Sequence, residues 1–223
     1  MNSKKDQDVA VGVLTSGGVE SAALVAAALK AYERVYPIYI RKGLKWEKTE
    51  SEYLKEFLSS MKADGLADLT VLDVPLKPIY GSHWSVGEGT PGSHEPDTAV
   101  FLPGRNLLLL SLAGLFCGLR RIPVLWLGIL KGNPFHDARS GFLRQVEGLL
   151  EGSLGGPIRI AAPFQELTKG QVIKRWPALA WEKTFSCLEP VGSRHCGRCQ
   201  KCAERKAGFK AAGIIDPTRY AAR

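Results

Sequence analysis

Short apolar runs and longer amphipathic stretches take turns along most of this chain. "DVAVGVL" reads as a buried strand, and "VESAALVAAALKAYE" after it as a helix that is apolar on nearly every side. "VYPIYI" is a second strand. "EKTESEYLKEFLSSMKA" follows as a helix with Tyr53, Leu54, Phe57, Leu58 and Met61 on one face. "LTVLDV" gives a third strand, "GRNLLLLSLAGLFCGL" a helix, "PVLWLGIL" a fourth strand and "SGFLRQVEGLLEG" another helix. "IRIAAPF" closes the series as a last strand, with "TKGQVIKRW" as a short helix behind it. Strands this continuously apolar, each followed by a helix, predict an α/β fold: a doubly wound, mostly parallel sheet covered on both faces.

Two places break the rhythm. Residues 75–103 are rich in Gly, Pro, Ser and His and show no period, as expected of a lid or a disordered loop. Near Pro177 the alternation stops and a cysteine-rich region begins. The predicted organisation is an α/β domain over residues 1–177 and a small helical metal-binding segment over 178–223.

The seam between the first strand and the first helix carries the first chemistry. Leu14-Thr15-Ser16-Gly17-Gly18-Val19-Glu20-Ser21 would present several backbone N–H groups and the Ser16 and Ser21 hydroxyls to one point, at the positive end of a helix. Glycine there lets an anion approach the backbone; a tight turn that simply needs flexible residues is the other reading. No G-x-x-x-x-G-K-[ST] occurs, which excludes a Walker-type loop, and no G-x-G-x-x-G follows the strand, which disfavours a dinucleotide.

Composition adds little beyond a globular class, with 45% hydrophobic and 23% charged residues. The opening "MNSKKDQDV" lacks the apolar run of a secretory signal. The most apolar windows are interrupted by Arg120, Arg121 and Pro123 and are too short to cross a bilayer, so a cytoplasmic protein is expected. The formal charge of +8 is concentrated late: eight basic residues stand against Glu204 and Asp216 in residues 194–223. Such a tail can attract nucleic acid or anionic substrates; the favoured reading is that it offsets a negative metal cluster.

That cluster is Cys187, Cys196, Cys199 and Cys202, whose spacing joins two C-x-x-C steps to one distant partner. Four thiolates can close a tetrahedral zinc shell and leave no open position, a structural site. An iron–sulfur cluster is the lesser alternative, and a redox pair leaves two cysteines unused. His195 is read as a surface residue rather than a ligand.

"SGGVES" resembles the S-G-G-x-D-S PP-loop of the N-type ATP pyrophosphatases, with Glu20 at the aspartate position. "FLPGRNLLLLSLAGL" looks like the F-V-P-G-R-N segment of the 7-cyano-7-deazaguanine synthases within that group. "LGILKGNPFHDARSGFL" and "APFQELTKGQVIK" are similar to the family's regions after the fourth and fifth strands. "FSCLEPVGSRHCGRCQKCAERKAGF" resembles its C…C-G-x-C-x-x-C-x-x-R zinc segment. The matches fall in family order from about residue 9 to 210. The resemblance implies an ATP-dependent ligase that adenylates 7-carboxy-7-deazaguanine, amidates it with ammonia and dehydrates the amide to the nitrile, using Mg2+ and carrying Zn2+. It implies that residues 14–21 hold the pyrophosphate, with Glu20 on magnesium or ATP. Arg105 is then a candidate for the α-phosphate or the substrate carboxylate, or a helix-start salt bridge. Asp137 could take a guanine-like N–H edge, or cap the helix that follows it. Lys131 joins Glu20 and Arg105 as a catalytic candidate, and Phe135 and Arg139 join Asp137 as substrate-binding candidates. Lys131, Phe135, Asp137 and Arg139 share the loop beyond a strand's carboxyl end, while Lys169 reads as a solvated charge. A homodimer is also implied. Where the family has Y-G-Q-R-H, this chain has "YIRKGLKWEKTE". That difference keeps open a paralogue that joins the carboxylate to another amine, including a protein amine. A tRNA-modifying enzyme is a further alternative, although no RNA-binding domain is appended; a catalytically silent binding protein is the last.

Overall fold

The computed structural model describes residues 10–221. Asp8 and Val9 of the first expected strand, the opening "MNSKKDQDV" and Arg223 of the basic tail lie outside the described residues. Five strands form one sheet: β1 (Ala10–Leu14), β2 (Arg34–Arg41), β3 (Thr70–Asp73), β4 (Val124–Trp126) and β5 (Arg159–Ala161). Their order is β3-β2-β1-β4-β5 and every pairing is parallel. The helices between and after them are α1 (Val19–Ala31), α2 (Glu47–Met61), α3 (Lys77–Tyr80), α4 (Arg105–Leu119), α5 (Ser140–Leu154), α6 (Lys169–Arg175) and α7 (Gln200–Ala212). No helix among the described residues is long and apolar enough to cross a membrane.

The alternation of apolar residues maps onto two cores, one on each face of the sheet. Val11 and Val13 of β1 join α1, Leu54 and Phe57 of α2, and Val172 and Ile173 of α6 on one side. Ile38 and Ile40 of β2 and Leu125 of β4 face Leu110, Ala113, Phe116 and Cys117 of α4 and Leu143, Val146 and Leu150 of α5 on the other. Helix α1 is apolar all round because it is buried nearly all round, with Val19, Ala23, Leu24, Val25 and Ala28 inaccessible. Trp181, Phe209 and Ala212 also enter the first core, so it runs continuously across Pro177.

The order in which strands are added to the sheet reverses between β1 and β4, although the two run parallel. The first half of the chain winds from β1 outward to β3, and the second returns beside β1 and winds to β5. The loops after β1 and β4 therefore diverge at the carboxyl edge, where this kind of sheet opens a crevice.

Three elements depart from the expected pattern. The fourth strand is three residues long, because the chain leaves the sheet at Leu127 and passes the start of α1 at Gly128. A Cβ on Gly128 would lie 3.2 Å from Cβ of Glu20. The last strand is equally short. Residues 75–103 are ordered, with α3, a 3-10 turn at Asp97–Val100 and a fully buried Ser85. Trp84 stacks on Trp46 with ring centroids 5.7 Å apart, and Lys45 donates to the Gly89 carbonyl and, at 2.8 Å, to the Thr90 hydroxyl. The Gln200 N–H donates to the Pro91 carbonyl at 3.2 Å. The segment lacks a period because its contacts are to two other loops, not to a sheet or helix face.

The centre of β1 is Gly12 for a packing reason. A Cβ there would stand 2.5 Å from the Cys117 sulfur of α4 and 3.1 Å from Ile38. Gly12→Ala is expected to lower the unfolding free energy by about 1–3 kcal/mol through overpacking. Cys117→Ala should cost less in that background than alone, and denaturant titration of the two single variants and the double variant measures the coupling. Strictly additive effects would refute the contact.

Candidate functional site

The turn after β1 is held on three sides. From within, the Ser16 N–H donates to the Ser21 hydroxyl at 3.2 Å, and the Ser21 hydroxyl donates to the Gly18 carbonyl at 3.2 Å. Toward α2, Gly17 has φ +75° and comes so close that a Cβ would lie 3.2 Å from Leu54 Cβ. Toward the C-terminal segment, the Phe185 N–H donates to the Gly17 carbonyl at 2.8 Å. Thr15 is fixed to β2 through its N–H, which donates to the Ile38 carbonyl at 2.8 Å. Helix α1 then begins at Val19 with Gly18, which has no side chain to cap it, at its cap position. The Leu14–Ser21 stretch thus lies at the positive end of a helix, the kind of place where anions bind.

Glu20 leaves the first turn of α1 toward Lys169, with Oε1 at 3.0 Å from Nζ. Lys169 lies 2.9 Å from Glu204 on α7 as well. Its side chain is only 15% exposed, which corrects the reading of Lys169 as a solvated charge. Sequence gives Lys169 a helix start and a polar neighbourhood, but not the two carboxylates that enclose it. Burial opposes the charge on all three groups, and their mutual attraction outweighs it. Lys169 is held above its ordinary range and Glu20 below. Glu204, which Lys201 also contacts at 2.6 Å, is brought down to about 2.

Across the crevice, Arg105 opens α4 behind Gly104, which has φ +70°. It forms no ion pair with any described residue, so its helix-start salt bridge does not appear. Its charge is nonetheless felt at Glu50 and Tyr80. Asp137 accepts from the Asn106 N–H at 3.1 Å and from Asn106 Nδ2 at 3.2 Å. It therefore caps α4 from outside; the cap position of the following helix belongs to Arg139. Phe135 stacks on Phe101 with centroids 5.1 Å apart. Lys131 and Arg139 are exposed on the same connection after β4. The loops after β1 and β4 and the start of α4 thus gather at one edge of the sheet.

The four cysteines converge. The sulfurs of Cys187, Cys196, Cys199 and Cys202 all lie within 4.8 Å of one another and are buried. The Cys196–Cys202 and Cys187–Cys199 separations are 4.0 Å, far beyond a disulfide and near the roughly 3.8 Å that zinc–sulfur bonds of about 2.3 Å impose in a tetrahedron. Backbone N–H groups of Glu189 and Cys196 point at the Cys187 sulfur at 3.3 and 3.2 Å, and that of Cys199 at the Cys196 sulfur at 3.3 Å, as thiolates require. The donor set fits a metal.

His195 is not a surface residue. It is 1% exposed in a box of Tyr53, Phe185 and Tyr220, and its Nε2 accepts from the Ser186 N–H at 3.1 Å. Burial and the nearby Arg205 push its pKa down to about 3, so it is neutral. Arg205, one of the cations of the basic tail, is fully buried and donates to the Trp181 carbonyl at 2.7 Å and the Thr184 hydroxyl at 2.8 Å. It ties the approach to Cys187 onto α7.

Sequence reasoning also missed a buried acid. Glu50 of α2 accepts from the Tyr39 hydroxyl at 2.8 Å, while Glu47, one turn earlier, is satisfied by the N–H groups of Lys42 and Gly43 at 2.7 Å each. Both carboxylates continue the buried stripe of Leu54 and Phe57 seven residues toward the start of the helix, and it is their acidic identity that hides them in the apolar pattern. Burial raises Glu50 to about 7, with Lys42 and Tyr39 offsetting part of the effect. A carboxyl raised on folding stabilises fully below its unfolded pKa and loses that contribution as pH climbs through about 7. Glu50→Gln should therefore gain stability relative to the unmodified chain between pH 5 and pH 8, by about 1–3 kcal/mol. Thermal unfolding of the two proteins across that range checks it, and parallel curves would refute it.

With the geometry in place, the relatives of the chain agree with it. The family described as "Queuosine biosynthesis protein QueC" matches residues 10–213. The 7-cyano-7-deazaguanine synthase of Xanthomonas oryzae pv. oryzae (strain PXO99A) is 33% identical over 228 residues, covering 94% of this chain and 96% of that protein. The synthase of the same name from Xanthomonas campestris pv. campestris (strain B100) is 33% identical over 230 residues, with the same coverage. Among solved structures, a 4-thiouridine synthetase in complex with RNA and bound ATP superposes with a TM-score of 0.51 at 13% identity. It covers 92% of this chain and 50% of that one, a likeness of fold alone. The chain belongs to the QueC family.

Proposed function

We propose that this protein is an ATP-dependent ligase that converts 7-carboxy-7-deazaguanine to its nitrile with ammonia, in the cytoplasm. The observation that carries the reading is the start of α1 behind Gly17 and Gly18, whose cap position has no side chain, at the sheet edge where α4 begins with an Arg105 that has no ion-pair partner among the described residues. An anion bound there would meet a helix N-terminus and would be within the field of a free guanidinium.

The chemistry needs positioning and charge stabilisation more than a nucleophilic side chain. A carboxylate oxygen of the substrate attacks the α-phosphorus of ATP, the bond to the β-phosphate oxygen breaks, and pyrophosphate leaves. Ammonia adds to the acyl carbon and gives up a proton, and AMP departs to leave the amide. The amide oxygen attacks the α-phosphorus of a second ATP and a second pyrophosphate leaves; loss of the two N–H protons and of AMP then yields the nitrile. Ser16, Gly17, Gly18 and Ser21 would hold the leaving pyrophosphate, and Arg105 would face the α-phosphate or the acid. Phe135 and Asp137 would line the place for the heterocycle, Phe135 with its ring and Asp137 as acceptor, beside Lys131 and Arg139. Glu20 would hold Mg2+ or ATP, and Mg2+ there would neutralise phosphate charge. The four cysteines would hold Zn2+ as a structural ion.

A second reading is favoured by one observation. Lys45 and Trp46, in the stretch that replaces the family's Y-G-Q-R-H, are spent on clasping residues 84–90. That loop shapes the edge of the crevice differently, which supports an amine larger than ammonia as the nitrogen donor, with a single adenylation ending at an amide.

Incubation with ATP, 7-carboxy-7-deazaguanine and ammonium should yield AMP and pyrophosphate and a product of nitrile mass; an amide or adduct mass supports the second reading, and absence of AMP with every amine overturns both. Gly17→Ala, strained at φ +75°, should cut kcat/KM for ATP by about 100-fold, the scale of a misplaced oxyanion donor. Elemental analysis should find one zinc per chain, and Cys199→Ser should lose it together with several degrees of Tm. Iron with a visible absorption band would overturn the zinc assignment.

A further inference from the structure

Glu20 carries one methylene more than the aspartate of the S-G-G-x-D-S pattern, and it spends that reach on Lys169. The ammonium it meets is not free to follow it. The stem of Lys169 lies flat against α7, where a Cβ on Gly208 would stand 2.7 Å from Lys169 Cγ. Beside it, a Cβ on Gly170 would stand 2.9 Å from Ala211 Cβ. The two glycines let α6 and α7 close on each other and fix where the ammonium sits. Glu204 then takes that ammonium at 2.9 Å through one oxygen. Its other oxygen accepts from Gln200 Nε2 at 2.7 Å and Lys201 Nζ at 2.6 Å. Glu204, two residues past Cys202, is thus anchored within α7 through one oxygen and holds Lys169 of α6 with the other, while Glu20 has Lys169 as its one ion-pair partner among the described residues.

The consequence is electrostatic. An isolated Lys169–Glu20 pair in a half-buried place would be a closed one-to-one ion pair, drawn together and away from the phosphate loop. With the ammonium shared, Glu20 keeps its second oxygen beside the loop: Oε2 is 3.7 Å from where a Cβ of Gly18 would be. We propose that Glu204 is a positioning residue for the nucleotide site: by holding Lys169 from the far side, it keeps the Glu20 carboxylate next to Gly18, where Mg2+ and the phosphates of the nucleotide bind. The cysteine segment thereby acts on the phosphate loop through a side chain as well as through its fold. This inference rests on the reading of residues 14–21 as an ATP cradle.

The test uses the metal-loaded protein and an ATP analogue with a methylene between the α and β phosphates, with Mg2+, measured by calorimetry. Glu204→Gln keeps the shape and removes the charge. It should weaken binding by about 5- to 20-fold, the range of a coupling between neighbouring charges, and raise KM for ATP by a similar factor with kcat changed less than about twofold. Zinc content should be unchanged. In a Lys169→Met background the same substitution should add nothing, because the intermediary is gone; Glu204→Asp should recover part of the loss. Equal binding by the unmodified chain and Glu204→Gln overturns the inference, as does an unchanged effect of Glu204→Gln in the Lys169→Met background, or loss of zinc with the charge. If the unmodified chain itself fails to bind the analogue, the cradle reading falls and takes this inference with it; if it binds and Glu204→Gln binds equally well, only the inference falls.

Discussion

The hydrogen bond from the Phe185 N–H to the Gly17 carbonyl joins two parts of the chain that lie almost 170 residues apart. It is possible because Gly17 turns through a left-handed conformation, which leaves its carbonyl open to the Phe185 N–H. Phe185 can reach it because Arg205, buried beneath, gathers the carbonyl of Trp181 and the hydroxyls of Thr184 and Ser186 onto α7. A buried guanidinium leaves little choice of geometry: its N–H groups must be met by acceptors, and those acceptors here are the backbone and hydroxyls leading to Gly17. The cradle after β1, the cysteine cluster and α7 are consequently one piece of structure.

Much of the sheet could be read from the sequence because burial on both faces leaves a direct trace, runs of Val, Ile and Leu broken by amphipathic helices. Where the trace fails, the cause is visible. β4 and β5 are each three residues long although their apolar runs continue, since Leu127, Ile129 and Phe164 remain buried after leaving the sheet. Apolarity reports burial, not strand pairing. The 75–103 segment shows the converse, for it is ordered by pairs such as Trp46–Trp84 that no periodicity within the segment can reveal.

At the site, the legible parts were those with fixed local spacing. The Thr-Ser-Gly-Gly turn and the C-x-x-C steps need their residues close in sequence, and the structure brings each set together. The illegible parts depend on distant partners. Lys169 reads as solvated until Glu20 and Glu204 arrive from 149 residues before and 35 after. His195 reads as a surface residue until Tyr53 and Tyr220 close over it, and Arg205 as one more cation in a basic tail until it is found under Trp181. Charged side chains are the poorest subjects for such reading, because whether they are buried is decided by partners and not by their own chemistry.

The loop after β2 and the 75–103 segment are best understood together. Lys45 and Trp46 hold residues 84–90, residues 91–92 meet Gln200 and Cys199 of the cysteine segment, and the chain then returns through Phe101 to Arg105. One covering strap therefore touches the end of β2, the cysteine segment and the start of α4, three of the walls around the carboxyl edge of the sheet. A change in the sequence after β2 cannot be absorbed locally in such an arrangement, since Trp46 needs Trp84 and Lys45 needs the turn at Gly89. The sequence of residues 39–50 and the composition of residues 75–103 are in this sense one feature: each supplies half of the contacts that hold the strap in place.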